Sequence, residues 1–321
     1  MSNDREKIAK RRQKRRKRRM KASFKLFLFC VILVCAGGGY LGYLKYQASH
    51  TPDSYGKLSE VDPAQDGGYD LSDEAKPEAR YWVINAGSGE SIYIKCGSVD
   101  ILIDTGSASD GKAIIDTVSE SITDGLDYLL ITSTSPRRIG GLESVCKALS
   151  PAKVITCPLG DEQSEIWSDI GKGIEREEGK EQIIQLPNNG SLTIFLPEVS
   201  SEDPYDQSLM TYFRYGETGF FAESDAGDEE EAKVVSKIQI CNAAVPSRAG
   251  SDEVNKLIDD VKADILIVPT SAETGLPSEK FVERVSADVY ATYDIGTIKF
   301  ATDGKFVTSN IEKERKLTEE D

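Results

Sequence analysis

The chain has 321 residues, 39% of them hydrophobic and 29% charged, which is enough for the core of one or two globular domains. Its net charge of −15 conceals a split: residues 1–25 carry 13 Lys/Arg against 2 Asp/Glu, leaving 26 basic against 52 acidic side chains in the other 296 residues, about −26. A body this acidic argues against nucleic acid as its main partner, because such binding rests on Lys/Arg neutralising phosphates.

In chain order, the first feature is the basic tail, residues 1–25. After it, Leu26 to Leu44 (LFLFCVILVCAGGGYLGYL) carries no charge and is just long enough to cross the hydrocarbon core as a helix. Basic residues on one flank keep that flank in the cytoplasm and favour anionic lipid. Tyr40, Tyr43 and Tyr46 suit the outer interface, and Gly38 and Gly42 form a small-residue GxxxG pair. The alternative is a cleaved signal peptide, with Val34 and Ala36 before the cleavage point. The anchor is the reading favoured here: a single-pass protein of the cell membrane, its N-terminus cytoplasmic and its main domain extracellular. Residues 45–79, rich in Ser, Asp, Gly and Pro, form a linker. A domain over 80–310 and a charged tail over 311–321 complete the chain.

The body alternates strand and helix patterns. Strands are expected at Tyr81–Asn85, Ser91–Lys95, Val99–Asp104, Leu126–Thr132 and Lys153–Cys157. Helical spacing covers Ala113–Ile122 and Ile139–Leu149. Ile183–Leu186 and Leu192–Leu196 read as strands around an Asn189-Gly190 turn. The plan then repeats. A hairpin covers Ser208–Tyr215 and Gly219–Glu223, and helices begin at Asp228 and span Asp252–Val261 and Ser278–Val285. Strands at Ile265–Val268, Val289–Thr292, Thr297–Ala301 and Phe306–Ser309 follow, the last two joined at Asp303-Gly304. Strands and helices twice over predict an α/β fold, a four-layer αββα sandwich preceded by one N-terminal transmembrane helix.

Cys96, Cys146, Cys157 and Cys241 lie in the body without a CxxC pair, so their spacing suggests neither a zinc knuckle nor a redox motif, and it pairs no disulfide. The apolar surroundings of Cys96 and Cys157 favour buried free thiols. The chain has a single histidine, His50, and it lies in the linker.

Several motifs fall in a familiar order. Asn85-Ala86-Gly87-Ser88-Gly89-Glu90-Ser91, Ile101-Leu102-Ile103-Asp104-Thr105-Gly106, Ile139-Gly140-Gly141-Leu142, Tyr215-Gly216 with Phe220-Phe221 and Asp225, Ile267-Val268-Pro269, and Asp294-Ile295-Gly296-Thr297-Ile298 are spread over residues 80–310. The series resembles the metallo-β-lactamase superfamily, and within it the extracellular domain of competence (DNA-uptake) channel proteins. The resemblance implies a zinc site, and the departures fall on it. Where the family has H-x-H-x-D-H, this chain has Ser133, Thr134, Ser135, Pro136, Arg137 and Arg138; where the family has a later His pair, it has Thr270-Ser271. Of the matched ligand positions Ser133, Ser135, Arg137, Arg138, Asp225 and Thr270, only Asp225 can bind a metal. Zinc needs three or four N, O or S ligands, and two guanidiniums repel a dication. No cofactor is therefore expected.

Arg137 and Arg138 leave two readings open. One guanidinium can fill the vacated pocket and pair with Asp225, with Asp104 as a second candidate partner, the pocket then accepting an anionic ligand through the bidentate fork. Otherwise the arginines face solvent. Ser133 and Ser135 have no neighbouring base to make them nucleophiles. Asp104-Thr105-Gly106-Ser107 also looks like an aspartic-protease motif with Asp294 as its partner, although that class is nearly all β. The resulting expectation is a non-catalytic binding or scaffold protein of the bacterial envelope. Its partner would be an unknown envelope protein or a small anionic ligand. The alternatives are a hydrolase (nuclease-like, or protease-like through Asp104) and an accessory DNA-uptake protein, the last requiring a basic surface around Arg137, Arg138, Arg248 and Lys262.

Overall fold

The computed structural model describes residues 78–311 except 88, 160–165, 167–169, 171–172, 198–206, 227–233 and 247–255. The basic tail, the expected membrane span, all but the end of the linker and all but the first residue of the C-terminal tail lie outside the described residues. Among the described residues no helix is long and apolar enough to cross a membrane.

In chain order the strands are β1 (Ala79–Val83), β2 (Ile92–Cys96), β3 (Val99–Ile103), β4 (Tyr128–Ile131), β5 (Lys153–Thr156), β6 (Glu175–Glu178), β7 (Gln182–Leu186), β8 (Gly190–Phe195), β9 (Met210–Tyr215), β10 (Thr218–Ala222), β11 (Ala243–Val245), β12 (Ile265–Val268), β13 (Asp288–Ala291), β14 (Ile298–Thr302) and β15 (Val307–Ser309). The described helices are α1 (Gly111–Val118), α2 (Pro136–Ile139), α3 (Leu142–Leu149), α4 (Lys256–Val261), α5 (Glu279–Arg284) and α6 (Thr292–Ile295). One sheet has the order β15-β14-β1-β2-β3-β4-β5-β6, the other β13-β12-β11-β10-β9-β8-β7. Each is antiparallel through its hairpins and turns parallel where helices intervene, at β3-β4-β5-β6 and at β10-β11-β12-β13.

The layering follows from the period-two alternation of a strand. On the second sheet Phe213, Phe220, Ala243, Ile265, Ile267 and Tyr290 join one core cluster, while their neighbours Tyr212, Phe221, Ala244, Leu266, Val268 and Val289 join another with Ile258, Val261 and Phe281 of α4 and α5. The first cluster lies between the sheets: Tyr81 of β1 stacks on Phe220 at 4.7 Å, and Phe300 of β14 packs on the same ring at 5.5 Å. Strands buried on both faces read as the apolar runs seen in the sequence.

Four expectations need correction. β6, with the sequence EREE, was not foreseen, because an exposed edge strand lacks the apolar signal of a buried one. Ile139–Leu149 is not one helix. α2 and α3 are separated at Gly140 and Gly141, where a side chain would collide with the Ala108 amide at 2.5 Å and the Thr105 carbonyl at 2.3 Å. The β7–β8 turn falls on Asn188 and Asn189, both left-handed at φ 55° and 63°, one residue before the expected pair. Asp294 and Ile295 lie in α6, a short helix outside any expected element. Of the helix expected from Asp228, Val234 and Val235 are helical, and 228–233 lie outside the described residues. Cys96, Cys146, Cys157 and Cys241 are buried free thiols. Burial pushes the Cys96 and Cys157 thiols up to about 11 and about 12, so both stay protonated and unreactive at neutral pH.

Candidate functional site

The parallel strands converge with their C-terminal ends on one crevice, the usual ligand position in open α/β sheets. Asp104 follows β3, Thr132 follows β4, Ser224 and Asp225 follow β10, and Pro269 and Thr270 follow β12. Asp104 and Ser224 are both left-handed, at φ 61° and 64°, a conformation uncommon outside glycine. Such strained positions cluster at functional sites.

Arg138 is at the centre and is only 4% exposed. Each guanidinium nitrogen donates to a different carboxylate: Nε to Asp225 Oδ2 at 2.9 Å, Nη1 to Asp104 Oδ2 at 2.9 Å, and Nη2 to Glu90 Oε2 at 2.6 Å. Asp104 is held further by the Thr132 amide at 2.7 Å and the Thr132 hydroxyl at 2.6 Å. With the Thr132 proton on Asp104, Ser224 donates the next link, at 2.6 Å. Backbone bonds fix the arginine segment: the Thr105 amide donates to the Arg138 carbonyl at 2.6 Å and the Glu90 amide to the Arg137 carbonyl at 3.0 Å. Gly89 makes that approach possible, since a Cβ there would lie 2.3 Å from the Ser107 amide and 2.6 Å from the Arg137 carbonyl.

Burial is the largest influence on the site's charges. It raises the Glu90 and Asp104 carboxyls above the ordinary carboxylate range, and Arg138 opposes the rise in both. Burial alone would lower Arg138, but Glu90, Asp225 and Asp104 outweigh it and keep the guanidinium charged. Three carboxylates around one buried cation leave an excess of negative charge that protonation relieves. A carboxyl raised on folding contributes stability that is complete below its unfolded value, near 4.3 for Glu, and is lost as pH rises through the folded value. Glu90→Gln keeps the acceptor for Arg138 and removes the charge. The variant is therefore expected to gain stability relative to the natural protein as pH rises from the mildly acidic range to 8. Urea unfolding of both proteins across that range measures it; a difference that does not change with pH would refute the assignment.

The other residues singled out in the sequence are engaged locally. Ser133 is buried and its hydroxyl accepts from the Ser135 amide at 3.2 Å. The Arg137 side chain is 42% exposed and lies 3.6 Å from Glu90 Oε1. The Thr270 amide donates to Thr292 Oγ1 at 3.0 Å, and Thr270 Oγ1 accepts from the Tyr293 amide at 3.3 Å. The crevice is lined by Glu90, Asp104, Thr132, Arg138, Ser224 and Pro269 and leaves room on the order of one water molecule. Arg138 thus has no free face for an anionic ligand, and its burial removes it from any basic surface; Arg248 lies outside the described residues. Asp294 is exposed, while Asp104 is committed to Arg138 and Thr132, so no shared-proton pair of the protease kind forms. Zinc does not fit this donor set either: all five positions singled out with Asp225 carry a hydroxyl (Ser133, Ser135, Thr270) or a guanidinium (Arg137, Arg138), and no cluster of three His, Cys, Asp or Glu suited to a metal occurs among the described residues.

Comparison with solved structures agrees with the two-sheet architecture. The metallo-β-lactamase fold protein YhfI from Bacillus subtilis superposes with a TM-score of 0.52 at 10% identity, over 70% of this chain and 100% of that one. A variant of the CmlA β-hydroxylase superposes with a TM-score of 0.51 at 11% identity, over 71% of this chain and 55% of that one. This chain has the metallo-β-lactamase fold. No protein-family model matches it, and no curated protein matches it in sequence. The likeness carries the fold alone, so the chemistry of this metallo-β-lactamase-fold domain has to be argued from its own side chains.

The site has three members that were not among its expected residues. Glu90 stood within a recognised motif without a role. Its signal was an acidic residue between glycine and serine at a strand entry, a poor place for a solvated charge. Thr132 and Ser224 carried no signal, since a hydroxyl beside an apolar run is common at strand ends.

Proposed function

We propose that this protein is a membrane-anchored, extracytoplasmic domain of metallo-β-lactamase fold that has lost its zinc ligands and acts by binding, as a scaffold of the bacterial envelope. The observation that carries the reading is Arg138: a permanently charged guanidinium fills the place where the motif resemblance puts the metal, and it takes up Asp225 together with Glu90 and Asp104. A fixed cation inside the protein supplies the positive charge that these carboxylates need, but it cannot polarise a substrate or activate a water as an open metal centre does. The crevice at Arg138 holds no more than about a water, so the partner, an envelope protein or a small anionic ligand, is taken to bind elsewhere on the domain. The motif resemblance to competence-channel proteins supports an envelope setting, while the acidic body and buried Arg138 speak against handling DNA itself.

Metal analysis tests the reading. The full chain, purified and loaded with zinc or manganese and then desalted, is expected to retain well under one equivalent and to show no phosphodiesterase or β-lactam hydrolysis. Retention of about one equivalent that is lost in Asp225→Ala would overturn it and make the protein a hydrolase candidate.

A further inference from the structure

A sheet edge exposes unpaired backbone donors and acceptors, and proteins blunt it by charge, shortness or cover. Of the four edges among the described strands, three are blunted. β6 is Glu-Arg-Glu-Glu, β15 has 3 residues, and β13 starts at Asp288 and is otherwise buried. β7 differs. Its outer side pairs with no described strand, its sequence QIIQL has no charge or proline, and Ile183 is 58% exposed. We propose that β7 is a self-association edge, at which two copies of this chain pair antiparallel and join their second sheets.

The strand's own sequence favours a second copy over an unrelated peptide. An antiparallel pair centred on Ile184 places Ile184 opposite itself, Ile183 opposite Gln185, and Gln182 opposite Leu186. The flanks fit as well: Lys180 comes opposite Asn188 and Glu181 opposite Pro187, so no like charges meet, and Glu181 is already paired with Lys237. In a body of about −26, an uncharged stretch at an edge is where two copies can approach with least repulsion. The arrangement is isologous, so it closes as a dimer and does not propagate. A strand of five residues spans about 17 Å, and an interface built on it is small, which sets the dimer in the micromolar range or weaker.

The test is sedimentation equilibrium of the full chain in neutral detergent, from about 1 to 100 μM. The natural chain is expected to dimerise with concentration. The double variants Ile183→Lys/Gln185→Lys and Ile183→Glu/Gln185→Glu change only exposed positions and oppose like charges in the proposed register. Each is expected to weaken self-association about tenfold, and an equal mixture of the two is expected to restore it. As a check that does not depend on charge, air oxidation should cross-link a mixture of Ile183→Cys and Gln185→Cys copies more than either alone. A monomer at every concentration, a dimer equally strong in both double variants (as contact through Gly38 and Gly42 would give), or a mixture that does not recover would each overturn the proposal.

Discussion

Replacing Arg138 with methionine is expected to destabilise the domain by about 3–5 kcal/mol, the cost of removing one partner from a buried ion pair and leaving the other charges uncompensated. Methionine fills comparable volume, so the loss is electrostatic and not a cavity effect. Here three carboxylates lose their cation together, and two of them, Glu90 and Asp104, are almost fully buried. For a domain of this size the change corresponds to a melting temperature lower by roughly 10 °C. Because the four side chains form one network, the effects should not add. Glu90→Gln or Asp104→Asn in the Arg138→Met background is expected to recover part of the loss, and by more than the same change gives in the natural protein at the same pH. Urea unfolding of the four-member cycle measures the coupling. A cost below about 1 kcal/mol for Arg138→Met would show that the network contributes little, and would remove the main support for a structural cation.

Arg138→Ala should turn the domain into a cation binder, whereas the natural protein should be indifferent to divalent ions. The substitution empties the space between Glu90, Asp104 and Asp225. Around a guanidinium the carboxylates are spread too widely for one ion, and must draw in by roughly an ångström to reach the 2.3–2.6 Å typical of calcium–oxygen contacts. Without the guanidinium the carboxylates repel one another, and a divalent cation that binds among them supplies the attraction that makes the movement favourable. Calcium or manganese is expected to raise the variant's melting temperature in step with the logarithm of its concentration, the added stability reaching about 2.7 kcal/mol at a hundredfold excess over the dissociation constant. Asp225→Asn in the same background should abolish the response. If the natural protein responds as strongly as the variant, the ions bind elsewhere and the guanidinium is not standing in a cation's place.

Much of the fold was legible in the sequence because the strands are buried on both faces and carry continuous apolar runs, as in ILIV over Ile265–Val268. What escaped was set by surroundings. β6 is a strand because β5 offers it a free edge, not because Glu and Arg favour extended backbone. The break between α2 and α3 exists because the Thr105 carbonyl passes too close to Gly141 for any side chain. The turn between β7 and β8 uses Asn188 and Asn189, since asparagine tolerates the left-handed region almost as glycine does.

The candidate site divides in the same way. Composition alone decided that no histidine is available to hold zinc in the body of the chain, because a count does not depend on how the chain folds. Residue order alone decided that two arginines follow the fourth strand, at the positions where the resembling family has its ligating Asp and last His. Which arginine turns inward was not decidable from sequence, because Arg137 and Arg138 are chemically identical neighbours. One turn of α2, fixed by Pro136 at its start and by backbone bonds to Glu90 and Thr105, buries Arg138 and leaves Arg137 at the rim. Glu90 and Asp225 lie 48 and 87 residues away from Arg138 in the chain, and only the packing of the two sheets brings them to the same guanidinium.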